Sequence, residues 1–232
     1  MTKFLKKTNI LFERLIIVFL VIIFLISAWC VYDCWYVYEH TSDKNLLRYK
    51  PDKMTAAVQG EKVISDDMAA WLTIDGTNID CPVMQGSDNI KYLNTDPFGD
   101  YSLGGSIFLD SRNSPDVSDS YSLIYGHHME YGRMFGTLDS FLEKDYLESH
   151  QNGLLEVGRN AEKTYKLKIF SAFRASARDK AIFEPQENNI ADFIEKNTHI
   201  TVDRDKKILG LSTCTEGDSV ARIIVFCYIC DE

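Results

Sequence analysis

The sequence predicts a mainly β domain, a barrel or a sandwich, behind one N-terminal membrane-spanning helix. Three observations carry this reading. Leu15 to Tyr32 run for 18 positions without a charge. From Trp71 onward the chain breaks into short runs of Ile, Val, Leu, Phe and Tyr, separated by turn signals such as Asp75-Gly76, Gly86-Ser87, Gly104-Gly105 and Asn152-Gly153. No internal repeat of about 20 to 50 residues is present, and no linker divides the chain after residue 60, so this part reads as one domain. A balance of 45% hydrophobic and 25% charged residues excludes a disordered chain.

The apolar run comes first. At about 1.5 Å rise per residue, its helix covers nearly the roughly 30 Å hydrocarbon core of a bilayer. A secretory signal peptide competes for the same segment, but its apolar region is shorter, about 7 to 15 residues, and ends at a small-residue cleavage site. Here the run continues into Trp29, Tyr32, Trp35, Tyr36 and Tyr38, which read as an interfacial belt. Lys3, Lys6, Lys7 and Arg14 precede it, so the positive-inside tendency puts the N-terminus in the cytoplasm. The expected organisation is a cytoplasmic N-terminus over 1–14, an anchor over 15–36, a helical stalk or cap over 37–69 and an extracellular domain over 70–232. Membrane lipid is thus an expected partner. Nucleic acid is not: net charge is −9, and beyond residue 40 the chain carries 21 basic against 31 acidic residues, too acidic for phosphate binding.

The stalk, Thr41 to Gln59, reads as short helices broken near Pro51. Strands are expected at Trp71 to Ile74, Ser106 to Leu109, Ser122 to Tyr125, Leu154 to Val157, Thr164 to Phe173, Lys207 to Thr213 and Arg222 to Ile229. Seven or eight short strands favour closure. Helices are fewer: Asp88 to Leu93, Thr137 to Leu147, and Ile190 to Lys196 with Ile190, Phe193 and Ile194 on one face.

Six cysteines do not form the evenly spread pattern of a disulfide-stapled domain. Cys227 and Cys230 make a formal CxxC, but inside the strand-like run RIIVFCYIC they point to opposite faces, and no second pair completes a zinc site. Cys214 ends the run ILGLSTC before a polar turn, where position alone leaves a nucleophile and a structural thiol both open. His127 and His128 follow Tyr125-Gly126 at a strand end. Adjacent in extended chain, they face opposite ways, so at most one serves a given site. Asp110 and Glu130 near them form no recognisable metal spacing, and the acidic residues are scattered singly, so neither zinc nor calcium is expected. Arg222 lies eight residues past Cys214 and is expected to open the final strand. If the last two strands pair antiparallel, Cys214 and Arg222 share an edge.

A cysteine, a histidine and an arginine at three strand ends make a chemically coherent set. A thiolate attacks a carbonyl, the imidazole handles the protons, and a guanidinium holds the developing oxyanion. These residues resemble the sortase family of membrane-anchored cysteine transpeptidases. Leu209 to Cys214 is similar to the family's TLxTC strand, with Thr213-Cys214 intact. Tyr125-Gly126-His127 is similar to its histidine motif, with His128 on a variable position, and Arg222 matches its essential arginine. The likeness runs from about Ala70 to the C-terminus. The helical cap, the NIKYLN segment from Asn89 to Asn94, the run Gly126-His127-His128-Met129 and the helix before the cysteine strand resemble class B.

What the resemblance implies is an eight-stranded β-barrel with Cys214, His127 and Arg222 catalytic, and with Asn89, Leu93, Ser212 and Thr213 lining the substrate groove. It implies cleavage of an LPxTG- or NPxTN-like sorting signal after Thr, a thioester on Cys214, and transfer of surface proteins to an amine of a peptidoglycan precursor. No cofactor or metal is implied. The connection from Arg174 to Asn189 is the expected shield against water. Asp110 is a further candidate to orient the histidine, ranked below Arg222. A secreted thiol hydrolase and a membrane-tethered binding module are the alternatives.

Overall fold

The computed structural model describes residues 2–41, 44–51, 62–187, 189–215 and 218–231. The chain divides into two compact units, one ending at His40 and the other beginning at Thr41.

The first unit is a single helix, α1 (Thr2–Thr41). Within it Ile10–Tyr36 forms a 27-residue stretch of mean hydropathy 3.0, long and apolar enough to cross a membrane. This fits a membrane anchor, and a signal sequence meets the same test. Trp29, Tyr32, Trp35 and Tyr36 recur three or four residues apart and therefore meet on one helix face, with Tyr32 ring centroids 6.3, 6.0 and 6.2 Å from the other three.

The second unit is a closed barrel of eight strands: β1 (Met68–Ile74), β2 (Asp80–Met84), β3 (Ile107–Leu109), β4 (Tyr121–Gly126), β5 (Asn152–Val157), β6 (Lys163–Ser176), β7 (Lys207–Thr215) and β8 (Asp218–Asp231). The order around it is β1-β2-β3-β4-β7-β8-β6-β5. Only β2/β3 and β4/β7 run parallel.

The strand absent from the sequence reading is β2. Proline argues against a strand because it donates no ladder bond. Pro82 is tolerated because at its level β2 pairs only with Trp71 of β1, while the pairing with β3 is confined to Val83 and Met84. Two further ends differ. β6 extends to Ser176, and β8 starts at Asp218, so Arg222 lies inside the last strand instead of opening it.

Expected helices shorten where the chain turns back on the barrel. The segment Asp88 to Leu93 forms only a 3₁₀ turn at Lys91–Leu93, with Asp88 Oδ1 accepting the N–H groups of Ile90 and Lys91 at 2.9 Å. Thr137 to Leu147 splits into a 3₁₀ stretch (Gly136–Leu142) and α2 (Lys144–Ser149). A short α3 (Lys180–Phe183) precedes α4 (Ile190–Thr198), which ends in a left-handed His199. In the stalk a 3₁₀ turn covers Lys44–Tyr49, while the expected helical stretch around Met54 and Val58 lies outside the described residues.

Alternation along β8 shows how the core is layered. Ile223, Val225, Cys227 and Ile229 fill the barrel interior with residues such as Leu72, Leu109, Leu155 and Leu211. Ile224 and Phe226 point outward, yet α3 and α4 cover them through Ile182, Ile190 and Ile194. The strand is therefore buried on both faces, which explains its near-continuous apolar run. A third cluster of Trp71, Met84, Tyr92 and Phe108 packs under the 86–95 segment.

Candidate active site

Two pairings at one end of the barrel assemble the site. β4 and β7 run parallel, with Tyr125 beside Ser212 and Gly126 beside Thr213. The next residue along each is His127 and Cys214. β7 and β8 run antiparallel with Cys214 opposite Arg222. Neighbouring strands lie about 4.8 Å apart, so the three positions sit side by side on three adjacent strands. The side chain of Cys214, with those of 215–219, lies outside the described atoms.

Beside these positions lies a cavity of about 310 Å³, lined by Asn89, Leu93, Phe108, Tyr125, Gly126, His127, Ala177, Phe183, Ser212, Thr213 and Arg222. Every other residue expected at the site, two catalytic and four substrate-binding, is in this lining. The residues that the sequence reading did not single out are Phe108, Tyr125, Ala177 and Phe183. Ala177 and Phe183 come from the connection expected to act as a shield, and Tyr125 opens the histidine motif, two residues before His127. Those were the available signals.

His127 is positioned from two sides. Its Nε2 lies 3.0 Å from the Leu93 carbonyl oxygen. A carbonyl only accepts, so Nε2 carries the proton in this bond and Nδ1 is left for other work. On the other side the His127 carbonyl accepts the Phe135 N–H at 3.0 Å, and Phe135 is fully buried. Gly126 is needed because a Cβ there would stand 2.7 Å from the Phe135 ring. This is close approach and not a special φ. His128 faces the other way and pairs with Asp139 Oδ2 at 2.9 Å.

Asp110 does not orient the histidine. It is fully buried and takes hydrogen bonds from Arg112, Tyr125 and Asn89. Burial by itself would raise its pKa, but the Arg112 guanidinium, with help from Tyr125, outweighs it and holds the carboxyl below the usual carboxylate range. Ser212 is buried in the wall, and its hydroxyl has no hydrogen-bond partner among the described residues. Arg222 donates from one guanidinium nitrogen to the Ala221 carbonyl at 2.8 Å.

Two other cysteines of the barrel, Cys81 and Cys227, are chemically quiet. Burial pushes the Cys81 thiol up to about 12 and the Cys227 thiol higher still, so both stay protonated at neutral pH. A second cavity of about 480 Å³ lies on the β2 side, lined among others by Cys81, Pro82, Tyr131 and Met134. It contains none of the expected site residues.

Residues 72–229 match the family model described as the Sortase domain. A sortase B of Listeria monocytogenes is 31% identical over 220 residues, covering 84% of this chain and 87% of that protein. Among solved structures, a class B sortase of Streptococcus pyogenes involved in pilus biogenesis is 36% identical with a TM-score of 0.63, covering 72% of this chain and 94% of that one. A Staphylococcus aureus sortase B–substrate complex is 28% identical with a TM-score of 0.64, covering 72% of this chain and 82% of that one. The chain belongs to the sortase family, as a class B sortase, and is a cysteine transpeptidase of cell-wall anchoring.

Proposed function

We propose that Cys214 is the nucleophile, His127 the proton carrier and Arg222 the oxyanion partner of the transpeptidation, and that the cavity beside them takes an LPxTG- or NPxTN-like sorting signal. The observation that carries this reading is the register that sets Cys214 opposite Arg222 on β8 and one step past the Gly126 pairing that leads into His127. The Cys214 thiolate attacks the carbonyl carbon of the signal's Thr, and the oxyanion forms against the Arg222 guanidinium. As the C–N bond breaks, protonated His127 gives its proton to the leaving amine through Nδ1, since Nε2–H is committed to Leu93. A thioester on Cys214 remains. The acceptor amine attacks it, His127 takes the amine's proton, and the thiolate is released. Asn89, Leu93, Ser212 and Thr213 hold the peptide, and Phe183 and Ala177 keep water from the thioester.

In the same reading α1 is retained as an anchor with its N-terminus in the cytoplasm, supported by the basic residues before it and the aromatic cluster at its far end. The barrel then works outside the cell, on surface proteins bearing a C-terminal sorting signal and on an amine of peptidoglycan or its precursor.

Intact mass spectrometry of the full chain in detergent, with panels of LPxTG-like and NPxTN-like peptides and with or without triglycine, tests the assignment. An acyl adduct on Cys214 that triglycine converts to a ligated peptide is expected for one peptide class. Cys214→Ala abolishes it, and Arg222→Ala slows it about 10²- to 10³-fold. A full-rate Arg222→Ala variant, or an adduct on another cysteine, would sink the assignment.

A further inference from the structure

We propose that Asp110 is a positioning residue for peptide recognition: it locks the Asn89 amide so that the N–H that Asn89 leaves unused among the described residues is a fixed donor for a carbonyl group of the sorting peptide. This rests on the reading of the 310 Å³ cavity as the peptide site.

The Asp110 carboxylate has no exposure to solvent and five donors around it. Oδ1 accepts from the Arg112 backbone N–H and from Arg112 Nε, both at 2.9 Å. Oδ2 accepts from a terminal Arg112 nitrogen at 2.7 Å, from the Tyr125 hydroxyl at 2.9 Å and from Asn89 Nδ2 at 3.0 Å. The other end of the Asn89 amide is also taken, its Oδ1 accepting the Ser111 N–H at 2.7 Å. Between an acceptor-only carboxylate and a donor-only N–H, the amide has one orientation. A flip would set oxygen against carboxylate and N–H against N–H. One amide proton has no partner among the described residues, on a residue that lines the cavity.

The same carboxylate reaches the opposite wall. The Arg112 terminal nitrogen that meets Asp110 also donates to the Phe183 carbonyl at 2.5 Å, and the Tyr125 ring stacks on Phe183 at 6.5 Å and 16°. Asn89, Tyr125 and Phe183 all line the cavity, so one buried charge orients three of its walls. A buried carboxylate is costly to desolvate and weak evidence of stability in its own right. Its placement behind a ligand cavity, with every contact leading to a wall residue, points to preorganisation of the site.

The test compares the full chain in detergent with Asn89→Ala, Asp110→Asn and the double variant. The probe is the sorting peptide that acylates the unmodified chain. Both single variants raise KM about 10-fold, the scale of one lost oriented hydrogen bond, with kcat changed less. Asp110→Asn acts because Arg112 holds the new carbonyl, so its NH₂ faces Asn89 and turns the amide. The double variant is no worse than about twofold beyond either single one, because both act on one donor. Alkylation of Cys214 by iodoacetamide stays at the unmodified rate. A folded Asp110→Asn variant with unchanged KM, a multiplicative double variant, or an alkylation rate that falls with KM would each overturn the proposal. If thermal unfolding shows that Asp110→Asn does not fold, the exchanged pair Asn89→Asp/Asp110→Asn keeps donor facing acceptor while removing the donor to the cavity. It must show the raised KM, and an unchanged KM overturns the proposal. An unmodified chain that alkylates at Cys214 but is acylated by no peptide overturns the cavity reading itself, whereas the other outcomes overturn only the role of Asp110.

Discussion

Gly105 stands far from Cys214 in sequence yet helps set His127. Its φ is +56°, and a Cβ there would overlap the carbonyl oxygens of Tyr92 and Leu93. The Leu93 carbonyl is the one that holds His127 Nε2. Gly105→Ala adds left-handed strain and forces backbone to move. It is expected to cost about 2 to 4 kcal/mol in urea unfolding and to slow acylation. An alanine variant with unchanged stability and rate would show that Leu93 does not fix the histidine. Glycine in GSIFLD carries no such message from composition, because the atoms it must avoid come from a segment a dozen residues earlier. The histidine motif was legible in the sequence, while the ring that Gly126 must clear belongs to Phe135, nine residues further on.

The connection between β6 and β7 works as an element. α3 brings Phe183 to the cavity, and α4 covers the outer face of β8 with Ile190 and Ile194. The cavity wall is thereby mounted on a packed helix pair and not on a loose loop. Phe183→Ala opens that wall without touching the proposed triad, so water gains on the acceptor amine. The hydrolysed share of product, measured by chromatography at fixed triglycine, is expected to rise several-fold while acylation of Cys214 persists. An unchanged share would remove the shielding role from this element. The helix α4 was readable from Ile190, Phe193 and Ile194 on one face. β2 was not, because Pro82 argues against a strand unless one knows that only one neighbour pairs at its level.

At the scale of the whole barrel, Asp67, Asp80 and Asp110 all have carboxyls held below their ordinary range. Lys91 and Tyr92 lower Asp67; at Asp80 and Asp110 burial pushes upward but hydrogen bonds from Trp71 and Lys50, or from Arg112, prevail. A carboxyl lowered on folding stabilises the protein above its unfolded pKa, about 3.9, and that stability is lost as pH falls through the folded value. Net charge of −9 acts in the other sense between pH 7 and the isoelectric point near 5.1, where acid relieves repulsion. The thermal midpoint is therefore expected to hold or rise from pH 7 to about 5 and to fall steeply below about pH 4. A midpoint that keeps rising below pH 4 would contradict these three ion pairs and hydrogen-bond sets.

Much of this protein is local chemistry and was readable along the chain. The apolar helix is a run of uncharged residues, most strands are short β-branched runs between turn signals, and the Cys214, His127 and Arg222 motifs stand in contiguous stretches. Closure of the barrel and the parallel step from β4 to β7 depend on partners more than 80 residues apart. The role of Asp110 is of that second kind. Nothing near it in sequence says whether a buried carboxylate faces a histidine or an asparagine, because its partners Asn89 and Tyr125, and the Arg112 that links it to the Phe183 carbonyl, meet only when segments far apart in the chain pack over one end of the barrel. Sequence periodicity specifies which face a residue takes, while contact between faces is decided by the register of the closed sheet.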